Sequence, residues 1–337
     1  MDISETGKFA LLDRLNAGFE ARQQSTVKAF DDAAVVAVSG KLKQISSSIF
    51  FEGIHFNLVY TPLKHLGYKT VTHAVSKIAA MNAFPQQILV STGVSSRFDV
   101  SDIESLYEGI HAACLEYNVD LVANNITTSM TGMTVSITAV GEASENAICC
   151  KSGAKVNDLV CISGSLGAAY MGLQVLERER RIFESTRTQP KLDGYDYVLR
   201  KQLRPQARLD MIRIFEDNKI IPSSMTNIVD GLASDILHIC KHSDAGVRIY
   251  LEKIPIAAET FDVCREMNYD AVTAALNGGD DFELLFTVPI SAYEAIKNLQ
   301  GFEIIGHITD VSQGAYLITP EGNELKIKAQ GWTSITE

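Results

Sequence analysis

A chain of 337 residues with 46% hydrophobic and 21% charged residues is globular, and it is longer than one hydrophobic core usually serves, so two domains are expected. A formal net charge of -11 excludes a general nucleic-acid binder, which needs a basic face. The longest apolar runs, such as Ala33 to Val38, fall far short of the roughly 20 residues of a membrane span. The polar, acidic stretch Met1 to Lys8 lacks the pattern of a secretion signal, and six scattered cysteines have no zinc-knuckle spacing. A cytoplasmic protein with reduced thiols is the expectation.

In chain order, residues 4 to 20 read as a helix, with Phe9, Leu12, Leu15 and Phe19 on one face. Ala33 to Val38, Lys43 to Phe50 and Gly53 to Tyr60 read as strands, the last alternating through Ile54, Phe56 and Leu58. Thr61 and Pro62 open a helix with Leu66, Val71, Val75 and Ile78 on its inner face. Gln87 to Val94 is strand-like. Ser101-Asp-Ile-Glu104 has the form of a capping box, so a helix is expected from there to about Tyr117. Leu121 to Ala123 and Thr134 to Ala143 complete the first half as strands. The polar segment Lys151 to Asp158 marks the expected boundary, giving domains 1–150 and 151–337.

The second half starts with a strand (Leu159 to Ile162), a glycine turn (Gly164 to Gly167) and a helix (Ala168 to Glu179). Residues 183 to 198 are polar and aperiodic and read as a surface excursion. Helices are expected at Pro205 to Phe215 and Ala233 to His242, and strands at Val247 to Leu251, Phe282 to Val288, Phe302 to Thr309 and Ala315 to Thr319. This order fits a mixed α/β (α+β) fold of two sandwiches better than one doubly wound sheet.

A collinear series of segments carries more information than any one of them: Asp31-Asp-Ala-Ala-Val35, Glu52-Gly-Ile-His-Phe56, Ser76-Lys-Ile-Ala-Ala-Met81, Ser152-Gly-Ala-Lys155, Asp230-Gly-Leu232, Gly279-Asp-Asp-Phe-Glu-Leu-Leu-Phe286 and Gly331-Trp332. In this order and spacing they resemble the thiamine-monophosphate kinases of the aminoimidazole-ribonucleotide synthetase superfamily. The resemblance implies transfer of the γ-phosphoryl of ATP to thiamine monophosphate, with magnesium and ATP as cofactors. It also implies a two-domain fold and a homodimer. The N-terminal sheets of the two copies would pair into a barrel with nucleotide near the seam, and the C-terminal α/β domain would close over substrate.

Phosphoryl transfer needs metal ions that bridge phosphate oxygens, and magnesium takes carboxylates as its protein ligands. By resemblance, Asp31, Asp32 and Asp230, with the hydroxyls of Ser46 and Ser47, are the remnant of that set. Ser48, Lys77, Asn125 and Asn227 stand where the family has acids, and each replacement makes the site more positive. Asn125 and Lys151 fall on the nucleotide side. Lys151 replaces an arginine, keeping the charge but losing the planar fork, and Phe30 stands where the family has glycines that admit phosphate. His55, Asp280 and Trp332 match substrate-side positions: tryptophan can stack on the flat rings of thiamine, and an acid can balance the thiazolium charge.

Local chemistry offers a plainer reading for each residue. Asp31 and Asp32 fit a turn, His55 a structural histidine on a strand, Lys77 a solvated helix position and Asp230 a helix cap. Gly164-Ser-Leu-Gly167 reads as a strand–helix turn rather than a phosphate loop, and Trp332 as a core seal. The combined expectation is a catalytically impaired relative that keeps the fold, the dimer and a site for thiamine phosphate or a related small ligand, with no nucleic-acid or membrane partner. Lys77 is expected to pair with Asp32 or Asp230 in place of metal. An active kinase with a reduced metal set and a non-catalytic regulatory or scaffold partner are the alternatives.

Overall fold

The computed structural model describes residues 26–28, 34–38 and 41–329. The helix expected at 4–20, together with Asp31, Asp32 and Trp332, lies outside them. The first half runs β1 (Thr26–Lys28), β2 (Ala34–Val38), β3 (Lys41–Phe51), α1 (Leu63–Ala79), β4 (Phe84–Val94), α2 (Val100–Tyr117), β5 (Asp120–Thr128) and β6 (Thr134–Ala143). These strands form a six-stranded sheet in the order β1-β2-β3-β6-β4-β5. Only β4 and β5 pair in parallel, which requires the crossover that α2 supplies.

Both helices lie on one face of this sheet, where Val71, Ile78, Leu106 and Ile110 are fully buried against Ile88 and Ile137. Their close contact depends on two glycines. A Cβ on Gly67 would sit 2.0 Å from the Leu106 carbonyl oxygen, and one on Gly109 would sit 1.8 Å from that of Lys64.

The second half runs β7 (Leu159–Ser163), α3 (Ala168–Thr186), α4 (Asp196–Leu203), α5 (Leu209–Asp217), β8 (Ser224–Asn227), α6 (Leu232–Ser243) and β9 (Ala245–Tyr250). It continues with α7 (Ala258–Met267), α8 (Ala271–Asn277), β10 (Leu284–Val288), α9 (Tyr293–Ile296), β11 (Phe302–Asp310), β12 (Ala315–Ile318) and β13 (Glu324–Lys326). The sheet order is β13-β12-β9-β11-β7-β10-β8. Both faces of its centre are covered, which is why β7 and β10 are continuous apolar runs. Val160, Ile162 and Leu285 pack with Ile236 and Ile239 of α6, whereas Cys161, Leu284 and Phe286 pack with Met211 and Phe215 of α5 and with Ala79 and Ala80 at the end of α1. The end of α1 thus belongs to the cores of both halves. Among the described residues no helix is long and apolar enough to cross a membrane.

Several local expectations need correction. Residues 53–60 form turns rather than a strand, because Gly53 adopts φ 81° and its N–H closes onto the Phe56 carbonyl at 2.8 Å. The capping box is built by Asp99 and Asp102, so α2 starts before Ser101. The expected excursion at 183–198 holds in its middle, where residues 187–195 are non-helical and almost all exposed, but α3 continues to Thr186 and α4 begins at Asp196. The helix read from Pro205 starts only at Leu209. Strand β8 and helices α7 and α8 were not anticipated from the periodicity.

Candidate functional site

Lys69, His73 and Lys77 recur every fourth residue along α1 and therefore share one face of it. The first two of them line a cavity of about 540 Å³ between the halves of the molecule. The turn at 53–57 walls it from the N-terminal half, while Leu173, Glu177, Gln202, Asp230 and Asp280 wall it from the C-terminal half. His55 is held in that turn by its own backbone geometry. Its N–H bonds to the Phe51 carbonyl at 2.9 Å, and its Nδ1 accepts the Phe51 N–H at 3.0 Å, which puts the proton of the neutral ring on Nε2. The ring therefore both anchors the turn and lines the cavity.

The nearly buried Lys69 ammonium pairs with the Asp280 carboxylate at 2.9 Å and donates to the Gln202 side chain at 3.3 Å. Withdrawal from water raises the Asp280 carboxyl, but the Lys69 charge, followed by His73 and His55, more than offsets this and holds it below the usual carboxylate range. His73 packs edge-on against Phe50 and Phe282, at centroid distances of 5.1 and 5.7 Å. Burial, then the nearby Lys77 ammonium, pushes it down to about 3, so it is neutral at physiological pH.

Further along α1 the substituted positions meet one another. Lys77 Nζ donates to Ser48 Oγ at 3.0 Å, and the Asn227 amide donates to Ser76 Oγ at 2.8 Å in a buried contact. Ser46 points to the same side of β3 and donates to the Ala74 carbonyl at 3.3 Å. Ser47 points the other way, as strand alternation requires, and accepts from Thr138. Asn125 is exposed on the edge strand β5, in register with Ser91, and forms no hydrogen bond to the Ser48–Lys77 pair. Lys151 is buried beneath β8, where its carbonyl accepts from Ser224 at 2.7 Å. Asp230 lines the cavity and is not a helix cap: α6 has Gly231 at its N-cap, and the Asp235 carboxylate accepts the N–H groups of Val229 and Asp230.

The family profile described as "AIR synthase related protein, N-terminal domain" matches residues 30–143. The thiamine-monophosphate kinase of Bacillus subtilis is 30% identical over 268 residues, covering 79% of each chain. That of Synechococcus elongatus is 30% identical over 91% of this chain and 90% of its own. The chain belongs to the thiamine-monophosphate kinase family. Among solved structures, AaThiL complexed with AMPPCP and TMP superposes with a TM-score of 0.84 at 27% identity over 98% of both chains.

Against that family background, residues beyond the matched motifs are part of the cavity. Lys69 and His73 were legible from their four-residue spacing to Lys77, a signal that the motif match passed over. Tyr60 and Glu177 carried no such signal, because they meet only across the halves, where the phenol donates to the carboxylate at 2.8 Å. Gly164-Ser-Leu-Gly167 is a strand–helix turn, and the N-terminus of α3 is filled from within. Asp281 accepts the N–H groups of Gly167 at 2.9 Å and Ala169 at 3.4 Å. Burial, followed by the neighbouring Glu283, pushes Asp281 up to about 7.

Proposed function

We propose that this protein binds thiamine monophosphate or a closely related small cation phosphate in the 540 Å³ cavity, and that its phosphoryl transfer is impaired. The observation that carries the reading is the Lys77–Ser48 hydrogen bond at 3.0 Å, with the Asn227 amide on the adjacent Ser76. The described donors do not fit magnesium. A dication is repelled by a fixed ammonium, and an amide is a weaker substitute for the carboxylates such a hard ion prefers. No step is therefore routed through a metal–nucleotide complex.

The ligand side is better supported. Asp280 and Asp230 supply anionic groups for a thiazolium, His55 presents its Nε2 side, and Lys69 supplies a cation for phosphate. The solved relative with AMPPCP and TMP supports a thiamine-phosphate site in this fold. A homodimer through the open face of the six-stranded sheet completes the proposal. That face exposes Ile45, Ile49, Phe51 and Leu89, whereas the opposite face is covered by α1 and α2.

Calorimetric titration with thiamine monophosphate and, separately, a non-hydrolysable ATP analogue, each with and without magnesium, tests the reading. Binding of thiamine monophosphate independent of magnesium, with no magnesium-dependent nucleotide binding, is expected. Micromolar nucleotide binding that requires magnesium, with turnover abolished by Asp230→Ala, would establish an active kinase instead. Sedimentation of wild type against Phe51→Glu tests the dimer.

A further inference from the structure

Residues 200–213 concentrate Arg200, Lys201, Arg204, Arg208 and Arg213 against a single acid, Asp210, in a chain whose net charge is -11. Four of these cations, all but Arg204, line a second cavity of about 590 Å³, on the other side of α4 from the first. Its size is that of a small-molecule site rather than a peptide groove. Its walls come from both halves, Glu116 and Tyr117 from α2 and Gly164 and Ser165 from the turn before α3.

The internal pairing leaves a definite residue of charge. Glu283 is buried at the floor, accepting from Lys201 at 3.0 Å, from Arg208 at 2.5 Å and from Ser163 at 2.7 Å. Arg208 also holds Asp210 through two nitrogens, at 2.9 and 2.8 Å, and Glu116 is taken up by Arg204 at 3.1 Å. Arg200 and Arg213 remain, both exposed and neither in an ion pair with a described carboxylate. Arg200 lies over the Tyr197 ring, whose hydroxyl is hydrogen-bonded to Ser165 at 2.8 Å.

We propose that this second cavity binds a small phosphate monoester. The two rim guanidinia take the dianionic phosphate, and Tyr197 supplies a flat surface for an attached ring. Two guanidinium forks match the charge and geometry of a phosphate better than those of a single carboxylate. The buried Glu283 fixes Lys201 and Arg208 beneath them and so rigidifies the floor.

The test uses the full chain and phenyl phosphate as the probe, titrated calorimetrically at constant ionic strength without magnesium. Saturable binding is expected, weakened more than tenfold in Arg200→Glu/Arg213→Glu and unchanged in Lys69→Gln. The component of thiamine monophosphate binding that depends on Asp280 should stay within twofold of wild type in the double variant. Both arginines are exposed, and thermal unfolding of the double variant confirms that it is folded. No saturable binding by wild type, or binding that survives the double substitution, overturns the proposal. Loss of phenyl phosphate binding in Lys69→Gln also overturns it, because the probe would then be occupying the first cavity, where Lys69 is the cation available to a phosphate.

Discussion

The two ends of the Lys69–His73–Lys77 stripe sit on one helix face and have opposite electrostatic settings. At one end an ammonium meets a carboxylate contributed by the other half of the molecule, Asp280 at 2.9 Å. At the other an ammonium meets the hydroxyl of Ser48, and the next residue back, Ser76, meets the amide of Asn227. The first end pairs opposite charges around a cavity and keeps the means to recognise a zwitterionic ligand. The second joins an ammonium to a hydroxyl and places an amide beside it. One helix therefore carries two charge environments, and the proposed ligand site draws on the first of them alone. Eight residues separate the two lysines, roughly 12 Å along the axis at 1.5 Å per residue, far enough for substitutions at each end to act independently.

The strongest way to break this comparison is to convert the neutral end into an acidic one. Ser48→Asp/Lys77→Asp/Asn227→Asp is expected to unfold at a markedly lower temperature than wild type in chelator, because clustered carboxylates repel one another. Magnesium should then restore stability to the variant, by about 2.7 kcal/mol at a hundred times the dissociation constant, and leave wild type unmoved. Thermal unfolding with and without magnesium decides it. A variant indifferent to magnesium would show that these three positions do not define the metal corner.

Asp280→Asn tests the charged end. Thiamine monophosphate affinity is expected to fall at least tenfold in a calorimetric titration. The nearly buried Lys69 loses its ion pair, but Asp280 retains contact with solvent and Gln202 still accepts from Lys69. The stability cost should therefore be about 1–2 kcal/mol, below the 3–5 kcal/mol of a fully buried pair. Undiminished affinity would remove Asp280 from the ligand site.

Much of the architecture was readable in advance wherever one period dominated. The strand expected at Thr134 to Ala143 matches β6 end to end, because alternate residues Val135, Ile137 and Ala139 are buried under the helices. The turn at 53–57 was misread because Ile54, Phe56 and Leu58 alternate like a strand, although Gly53 reverses the chain and leaves Ile54 78% exposed. The matched motifs pointed to His55 and Asp280 as substrate-side residues and to Asp230 as a metal remnant, and all three line one cavity. They did not separate Ser47 from Ser48, because the side of the sheet on which each hydroxyl lies depends on register with β6 and on where α1 packs. Asp281 follows Asp280 directly, but the backbone at positive φ in Asp280 turns the two carboxylates toward different partners, Lys69 and the start of α3.

The pH profile sharpens the comparison from the middle of the stripe. His73 is lowered from 6.5 to about 3 on folding, among Lys77, Asp280, Lys69 and His55, so the folded state resists protonation. Its contribution is present above pH 6.5 and is lost as pH falls toward 3. Asp281 is raised from 3.8 to about 7, so its contribution is present below 3.8 and is lost as pH rises through 7. Urea denaturation from pH 4 to 8 should show His73→Val flattening the acid-side loss and Asp281→Asn flattening the loss toward neutral pH. Equal slopes in His73→Val and wild type would mean that the ring is solvated and charged in the folded protein.

The smallest expected effect is the most direct check that the two ends are independent. Asn227→Ala removes the buried amide donor from Ser76, yet the Ser76 hydroxyl keeps its own bond to the His73 carbonyl at 2.9 Å. One hydrogen bond is lost and no charge is stranded, so the cost should be about 1 kcal/mol in urea denaturation. Thiamine monophosphate affinity should change less than twofold, because Asn227 does not line the cavity. A larger loss of affinity would mean that the neutral end sets the position of His73 through the Ser76 turn, and the stripe would then have to be treated as one coupled element.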